Sequence, residues 1–151
     1  MQSATVYITE GAPHETGLVK IACAFKAIPF VLRPSPKGNI SLSTQTIEVH
    51  NTQTILSFLD AKYPAPPLVI GDPETKAGIQ MILCAYLDKP EHTVNQLMDE
   101  TKHTNPWLLG EYPTVVDLML VDVVEDIEHR PYQFRLEELI RSWKIDKARS
   151  Y

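Results

Sequence analysis

The sequence lacks the features that mark a membrane, secreted, metal-binding or nucleic-acid-binding protein. No apolar run approaches the roughly 18 residues that span a membrane, and the first residues lack the basic region and apolar stretch of a signal peptide. No block of Lys and Arg interrupts a chain whose formal net charge is −5, which argues against direct nucleic-acid binding. The five histidines show no ligand spacing of a zinc site. We therefore expect no membrane, nucleic-acid or metal partner.

Cysteine is also scarce, because the 151 residues contain only Cys23 and Cys84. Both lie in apolar helical patterns with no C-x-x-C spacing. This usage predicts buried free thiols in a reducing cytoplasm rather than a secreted disulfide framework.

What is present is organised around residues 46–67. Ile47 and Val49 alternate with polar neighbours, as a half-buried strand requires. Asn51 can then cap a helix whose apolar residues recur at helical spacing as far as Tyr63. A proline-rich turn follows from Pro64 and ends the helix.

Before this stretch the patterns predict strand 4–9, a loop 10–17, helix 18–26, and strands 28–32 and 40–42, joined by only seven residues, 33–39. After it, Asp72 and Pro73 open a helix to about residue 89. A short surface helix is expected within 91–104, then a connector 105–113. Thr114 and Asp117 form a capping-box pattern before a buried helix to Ile127, and a last helix is expected over 135–143.

Two stretches resemble the glutathione S-transferase superfamily. Residues 20–30 (KIACAFKAIPF) and 46–64 are similar to its first helix with second strand and to its fourth strand with the following helix. Tyr63-Pro64-Ala65-Pro66-Pro67-Leu68 looks most like the stringent starvation protein A branch, which is associated with RNA polymerase. The resemblance implies an α/β thioredoxin-like domain, residues 1–68, followed by a small, truncated all-α domain, residues 73–151. The helix that the family places between the second and third strands is expected to be missing.

The resemblance also locates a glutathione site, and this sequence departs from it at three places. Ala12, before Pro13, stands where many bacterial members have a Ser or Cys that steadies the glutathione thiolate. Ser41 stands where a cis-proline presents the backbone edge, with Leu42 after it; a cis bond at a non-proline costs about 3 kcal/mol, so Ile40–Ser41 is predicted to be trans.

The third departure is Asn51-Thr52, where the family has Glu or Gln followed by Ser for the γ-glutamyl end of glutathione. Thr52 and the helix N-terminus can still hold a carboxylate, but Asn51 cannot supply a negative charge for the ammonium group. Other family classes use a tyrosine at the end of the first strand, so Tyr7 is the candidate catalytic hydroxyl if the chain is an enzyme, and Thr9 a weaker donor. These residues predict a vestigial site with weak glutathione binding and no required cofactor.

Two functions remain open at this point. The leading interpretation is a protein-binding regulator without efficient transferase activity, whose partner, by resemblance the transcription machinery, contacts the turn Pro64, Ala65 and Pro66. In stringent starvation protein A the equivalent turn is Pro-His-Pro; here Ala65 replaces the histidine. The alternative is a minimal glutathione- or small-thiol-dependent transferase or isomerase with an opened pocket. Either would be a homodimer formed through residues 46–63 and 73–89, as in the superfamily.

Overall fold

Among the residues that the structure describes, four short strands form one mixed sheet in the order β2-β1-β3-β4. The computed structural model describes residues 5–35, 37–100 and 114–123. Strand β1 (Val6–Thr9) pairs parallel with β2 (Phe30–Arg33) and antiparallel with β3 (Ser41–Ser43), and β3 pairs antiparallel with β4 (Glu48–His50). The sequence predicts all four strands to within two residues of these bounds.

In the part of the chain that the structure describes, five helices pack on the sheet or follow it. They are α1 (Pro13–Phe25), α2 (Thr52–Lys62), α3 (Pro73–Asp88), α4 (Pro90–Glu100) and α5 (Val115–Val123). Helix α1 begins five residues before the predicted start at Leu18, because Pro13 occupies the first turn, where its missing N–H costs nothing. The predicted loop 10–17 is therefore wrong over most of its length.

The connection between β2 and β3 contains no helix in its described residues, 34–35 and 37–40. This confirms the expectation that the helix between the second and third strands of the glutathione transferase pattern is missing here. Ile8 and its β3 partner Leu42 are fully buried on the face that packs against the helices. Because successive strand residues point to opposite faces, Tyr7 and its β2 partner Val31 lie on the other face, where Val31 is 46% exposed.

Helix N-termini are capped where the sequence predicts it. The Asn51 side chain accepts hydrogen bonds from the N–H groups of Gln53 and Thr54, and the Asp72 side chain accepts one from the Thr75 N–H. Hydrogen bonds from Thr75 lower the pKa of the Asp72 carboxyl group. These bonds span at most three residues, so they can be read from sequence alone.

Helix α5 carries the predicted capping box. The Thr114 N–H donates to Asp117 Oδ2 at 2.9 Å, and Thr114 Oγ1 accepts from the Val116 N–H at 3.2 Å, one residue earlier than the pattern suggested. The Val115 N–H donates to the Leu68 carbonyl at 2.8 Å. This bond fastens the start of α5 to the segment between α2 and α3, and α5 also packs against α1, α3 and α4.

The two cysteines differ in their surroundings. Cys23 is buried in α1 as predicted, and its burial raises the pKa of the thiol to about 12 even though the charge of Lys26 lowers it. Cys84 is exposed, so the prediction of a buried thiol is wrong there. Its Sγ accepts a hydrogen bond from Gln53 Nε2 at 2.8 Å, because residue 84 of α3 faces the N-terminus of α2.

Several predictions fall on residues that the structure does not describe: the connector 105–113, the helix 135–143 and the shortening of the helical domain. The boundary between residues 68 and 73 likewise stays a prediction. Among the described residues, no helix is both long and apolar enough to cross a membrane.

Candidate functional site: the N-termini of α1 and α2

The N-termini of α1 and α2 meet at one carboxylate. Glu15, in the first turn of α1, accepts a hydrogen bond from the Thr52 hydroxyl at 2.9 Å through Oε2. Its Oε1 accepts from the Ala12 N–H at 3.3 Å. The sequence prediction identified Ala12 and Thr52 but missed Glu15. A contact between residues 37 positions apart leaves no local pattern that could have revealed it.

The N-terminus of α2 keeps one backbone donor for a ligand. Asn51 adopts φ +77°, a left-handed conformation that Asn tolerates better than most residues, and its side chain already serves the Gln53 and Thr54 N–H groups. Thr52 is buried, and among the described residues no hydrogen bond from its own N–H is found. A ligand carboxylate could therefore bind the Thr52 N–H beside the Glu15 carboxylate.

At the start of β3, the predicted site residues Ser41 and Leu42 have buried side chains. Ser41 is buried, and Ile40–Ser41 is trans, since the cis bond among the described residues is Ala65–Pro66. The Leu42 side chain belongs to the core. Only backbone groups of Leu42 could contact a ligand, and its side chain could not.

The structure does not bring Tyr7 to this pair of helix N-termini. The ring of Tyr7 lies on the sheet face opposite α1 and α2, with the Arg33 guanidinium carbon 3.9 Å from its centroid. Thr9 shares that face, opposite Ser41 in the β1–β3 ladder. Of the predicted site residues, Ala12, Pro13, Asn51 and Thr52 therefore form one group, and Tyr7 stands apart from it.

A cavity of about 500 Å³ adjoins α1 on the side of α5. It is bordered by Pro13, Gly17 and Lys20 of α1 and by Asp122 of α5. The Asp122 side chain is 8% exposed and accepts hydrogen bonds at Oδ2 from His14 Nδ1, at 2.9 Å, and from the Tyr86 hydroxyl. This cluster joins α1, α3 and α5, and sequence reasoning did not identify it.

The buried side chain of Lys26 binds the backbone of the proline turn, residues 63–66. Lys26 Nζ donates to the Tyr63 carbonyl at 2.6 Å, the Pro66 carbonyl at 2.7 Å and Asp60 Oδ1 at 2.9 Å. Pro64, Ala65 and Pro66 themselves are exposed. The turn therefore presents its side chains outward on an anchored backbone.

No family model matches this sequence, and no curated protein matches it. Solved structures do. A glutathione S-transferase from Methylobacterium radiotolerans in complex with glutathione sulfonate superposes with a TM-score of 0.71 at 18% identity, covering 91% of this chain and 90% of its own. A glutathione transferase homologue from Burkholderia with bound glutathione gives 0.65 at 16% identity, covering 97% and 99%. Maleylacetoacetate isomerase from Anaeromyxobacter dehalogenans gives 0.67 at 14% identity, covering 95% and 91%.

These comparisons, together with the sheet order and the helices that follow it, define the class. The chain has the glutathione S-transferase fold: a thioredoxin-like N-terminal domain followed by helices. The predicted fold class is confirmed.

Proposed function

We propose that this protein is a glutathione- or small-thiol-dependent enzyme of the transferase or isomerase type. The observation that supports this function is the position of Glu15 between the two helix N-termini. The sequence argued against an enzyme because Asn51, at the start of α2, lacks the negative charge that the glutathione ammonium group needs. Glu15, at the start of α1, supplies that charge. The position of Glu15 therefore favours an enzyme over a protein-binding regulator.

The γ-glutamyl end of glutathione carries a carboxylate and an ammonium group on one carbon. The Thr52 N–H at the start of α2 suits the carboxylate, because helix N-termini offer unpaired donors and a favourable dipole. The Glu15 carboxylate suits the ammonium, since its two oxygens have about four acceptor sites and the structure uses one on each. Two of the matched structures hold glutathione or glutathione sulfonate, which fits a site of this kind.

The titration that tests this function uses calorimetry with glutathione. We expect saturable binding in the millimolar range or tighter for the wild type. Glu15→Gln should weaken binding roughly five- to tenfold, because a partly exposed ion pair is worth about 1 kcal/mol. Glu74→Gln is the matched control, since Glu74 also lies in the first turn of a helix but is exposed on α3, and it should bind like the wild type.

A second ligand separates the ammonium contact from a general loss of affinity. N-acetylglutathione lacks the ammonium charge, so wild type and Glu15→Gln should bind it equally weakly. No saturation with glutathione at any accessible concentration would contradict the enzyme proposal. Equal affinity of wild type and Glu15→Gln for glutathione would contradict the assigned role of Glu15.

The second candidate function is the protein-binding regulator similar to stringent starvation protein A. It is favoured by the exposed turn Pro64, Ala65 and Pro66, whose backbone Lys26 fixes. A surface that is ordered before binding loses little entropy on association. A protein that neither binds nor turns over glutathione would favour this candidate, with a partner in the cytoplasm, where Cys23 and Cys84 would remain reduced thiols.

We further propose that the protein works as a homodimer. Met81 of α3 is 72% exposed, and Ile47, beside β4, is 48% exposed, so both segments expected to meet a partner copy present large apolar side chains. Light scattering after size exclusion should give twice the mass of one 17.1 kDa chain at tens of micromolar protein. Met81→Glu should shift the mass toward one chain, and a single-chain mass for the wild type would contradict the dimer.

A further inference from the structure

We propose that His14 is the general base that removes the proton from the bound thiol, with Asp122 as its positioning residue. The inference rests on the proposed function and deepens it. It assigns a catalytic role to a side chain that neither the family resemblance nor the matched structures point to. It also answers a question that Ala12 raises, namely how a site without a Ser, Cys or Tyr donor could produce a thiolate.

The first support is the geometry of the His14–Asp122 pair. His14 Nδ1 lies 2.9 Å from Asp122 Oδ2. A carboxylate can only accept, so Nδ1 carries the hydrogen and the neutral ring has its lone pair on Nε2. A base whose second nitrogen is oriented by a buried acid is the arrangement that activates thiol and hydroxyl nucleophiles.

The second support is that Asp122 is built to hold the ring. Its side chain is 8% exposed and also accepts from the hydroxyl of Tyr86, whose ring meets the imidazole edge-on with centroids 6.1 Å apart. Helices α3 and α5 thus fix the imidazole from two sides. The side chain of His14 remains 28% exposed, and in the described part of the chain its hydrogen bond is made by Nδ1, which leaves Nε2 for a ligand.

The third support is the position of His14 along α1. It follows Ala12 and Pro13 directly and precedes Glu15, the residue proposed to hold the γ-glutamyl end. A thiol ligand anchored at Glu15 and Thr52 therefore lies at the same helix N-terminus as His14. The cavity bordered by Pro13, Gly17 and Asp122 lies beside the same turn and offers room for the electrophilic substrate.

The chemical step is a proton transfer followed by nucleophilic attack. The S–H bond breaks, the proton passes to His14 Nε2, and the electron pair stays on sulfur. The imidazolium is stabilised by the Asp122 carboxylate. With 1-chloro-2,4-dinitrobenzene as electrophile, the sulfur forms a bond to the ring carbon, chloride leaves with the electron pair of the C–Cl bond, and Nε2 later returns its proton to solvent.

The test measures the thiolate itself. Ultraviolet difference spectra are recorded for the full chain with glutathione and with S-methylglutathione, which has no thiol proton. We expect a thiolate absorbance for glutathione at neutral pH that is absent with S-methylglutathione. His14→Gln should reduce the thiolate signal at least tenfold and kcat roughly a hundredfold, the usual contribution of a general base, while KM changes little.

Asp122→Asn should reduce the thiolate signal less than His14→Gln does, and added imidazole should partly rescue His14→Ala. His92→Gln is the control, because His92 is an exposed histidine on α4, and it should behave like the wild type. Thermal melts establish that each variant is folded.

Two outcomes would overturn the inference while the proposed function survives. One is wild-type protein that binds glutathione but leaves it as the thiol. The other is folded His14→Gln with the wild-type thiolate signal, which would make the His14–Asp122–Tyr86 cluster a purely structural link between helices. Absence of glutathione binding in calorimetry is a separate result, and it would overturn the proposed function and this inference together.

Discussion

Replacing Lys26 with Met should lower the free energy of unfolding by about 3 kcal/mol, because it leaves a buried polar site without its cation. The Lys26 side chain is fully buried, and its ammonium group binds Asp60 and two backbone carbonyls. Met fills a similar volume, so the lower stability would come from the oxygens that lose their hydrogen-bond donor and not from a cavity. For a chain of this length the melting temperature should fall by roughly 10 °C.

Lys76→Met is the matched control, since Lys76 is exposed near the start of α3. It should change the stability by less than about 0.5 kcal/mol, as is usual for surface substitutions. Differential scanning calorimetry of the two variants measures both effects. Coinciding melts for Lys26→Met and the wild type would mean that the proline turn does not depend on Lys26.

Gly17→Ala should destabilise the protein by about 2 kcal/mol, although helix propensity alone predicts a gain of up to roughly 1 kcal/mol. A Cβ at position 17 would overlap the Asp122 carboxylate, so either the Asp122 side chain would turn away or α1 and α5 would move apart. Either movement would disturb the His14–Asp122 hydrogen bond.

Gly78→Ala should change the stability in the opposite direction to Gly17→Ala. Gly78 lies within α3, and a Cβ added there meets no atom within 4 Å. It should therefore gain roughly 0.5–1 kcal/mol from helix propensity. Urea unfolding measures the effect of each glycine variant as a change in the midpoint urea concentration, with the dependence of the unfolding free energy on urea unchanged. A gain in both variants would contradict the close packing of α1 on α5.

The errors of the sequence predictions have specific physical causes. The early start of α1 was missed because Gly11, Pro13 and Gly17 indicate a loop, although Pro13 fits the first turn of a helix. Cys84 was expected to be buried because α3 has apolar residues on more than one side. Periodicity shows that a helix is amphipathic, but tertiary packing decides which of its faces meets another element.

The missing helix between β2 and β3 was predicted from the short connection 33–39 together with the family resemblance. The sequence by itself determined the order of the strands and helices and the caps at Asn51, Asp72 and Thr114. These features depend on neighbours within one turn or on alternation along one strand, so the residues involved are visible together in the sequence.

Only the tertiary structure decided the chemistry of the site. Glu15 meets Thr52 across 37 positions, Lys26 meets Asp60 across 34, and His14 meets Asp122 across 108. Each pair joins side chains that lie on, or directly after, different helices. Such contacts arise from the packing of α1 against α2 and α5, and no local spacing in the sequence encodes them.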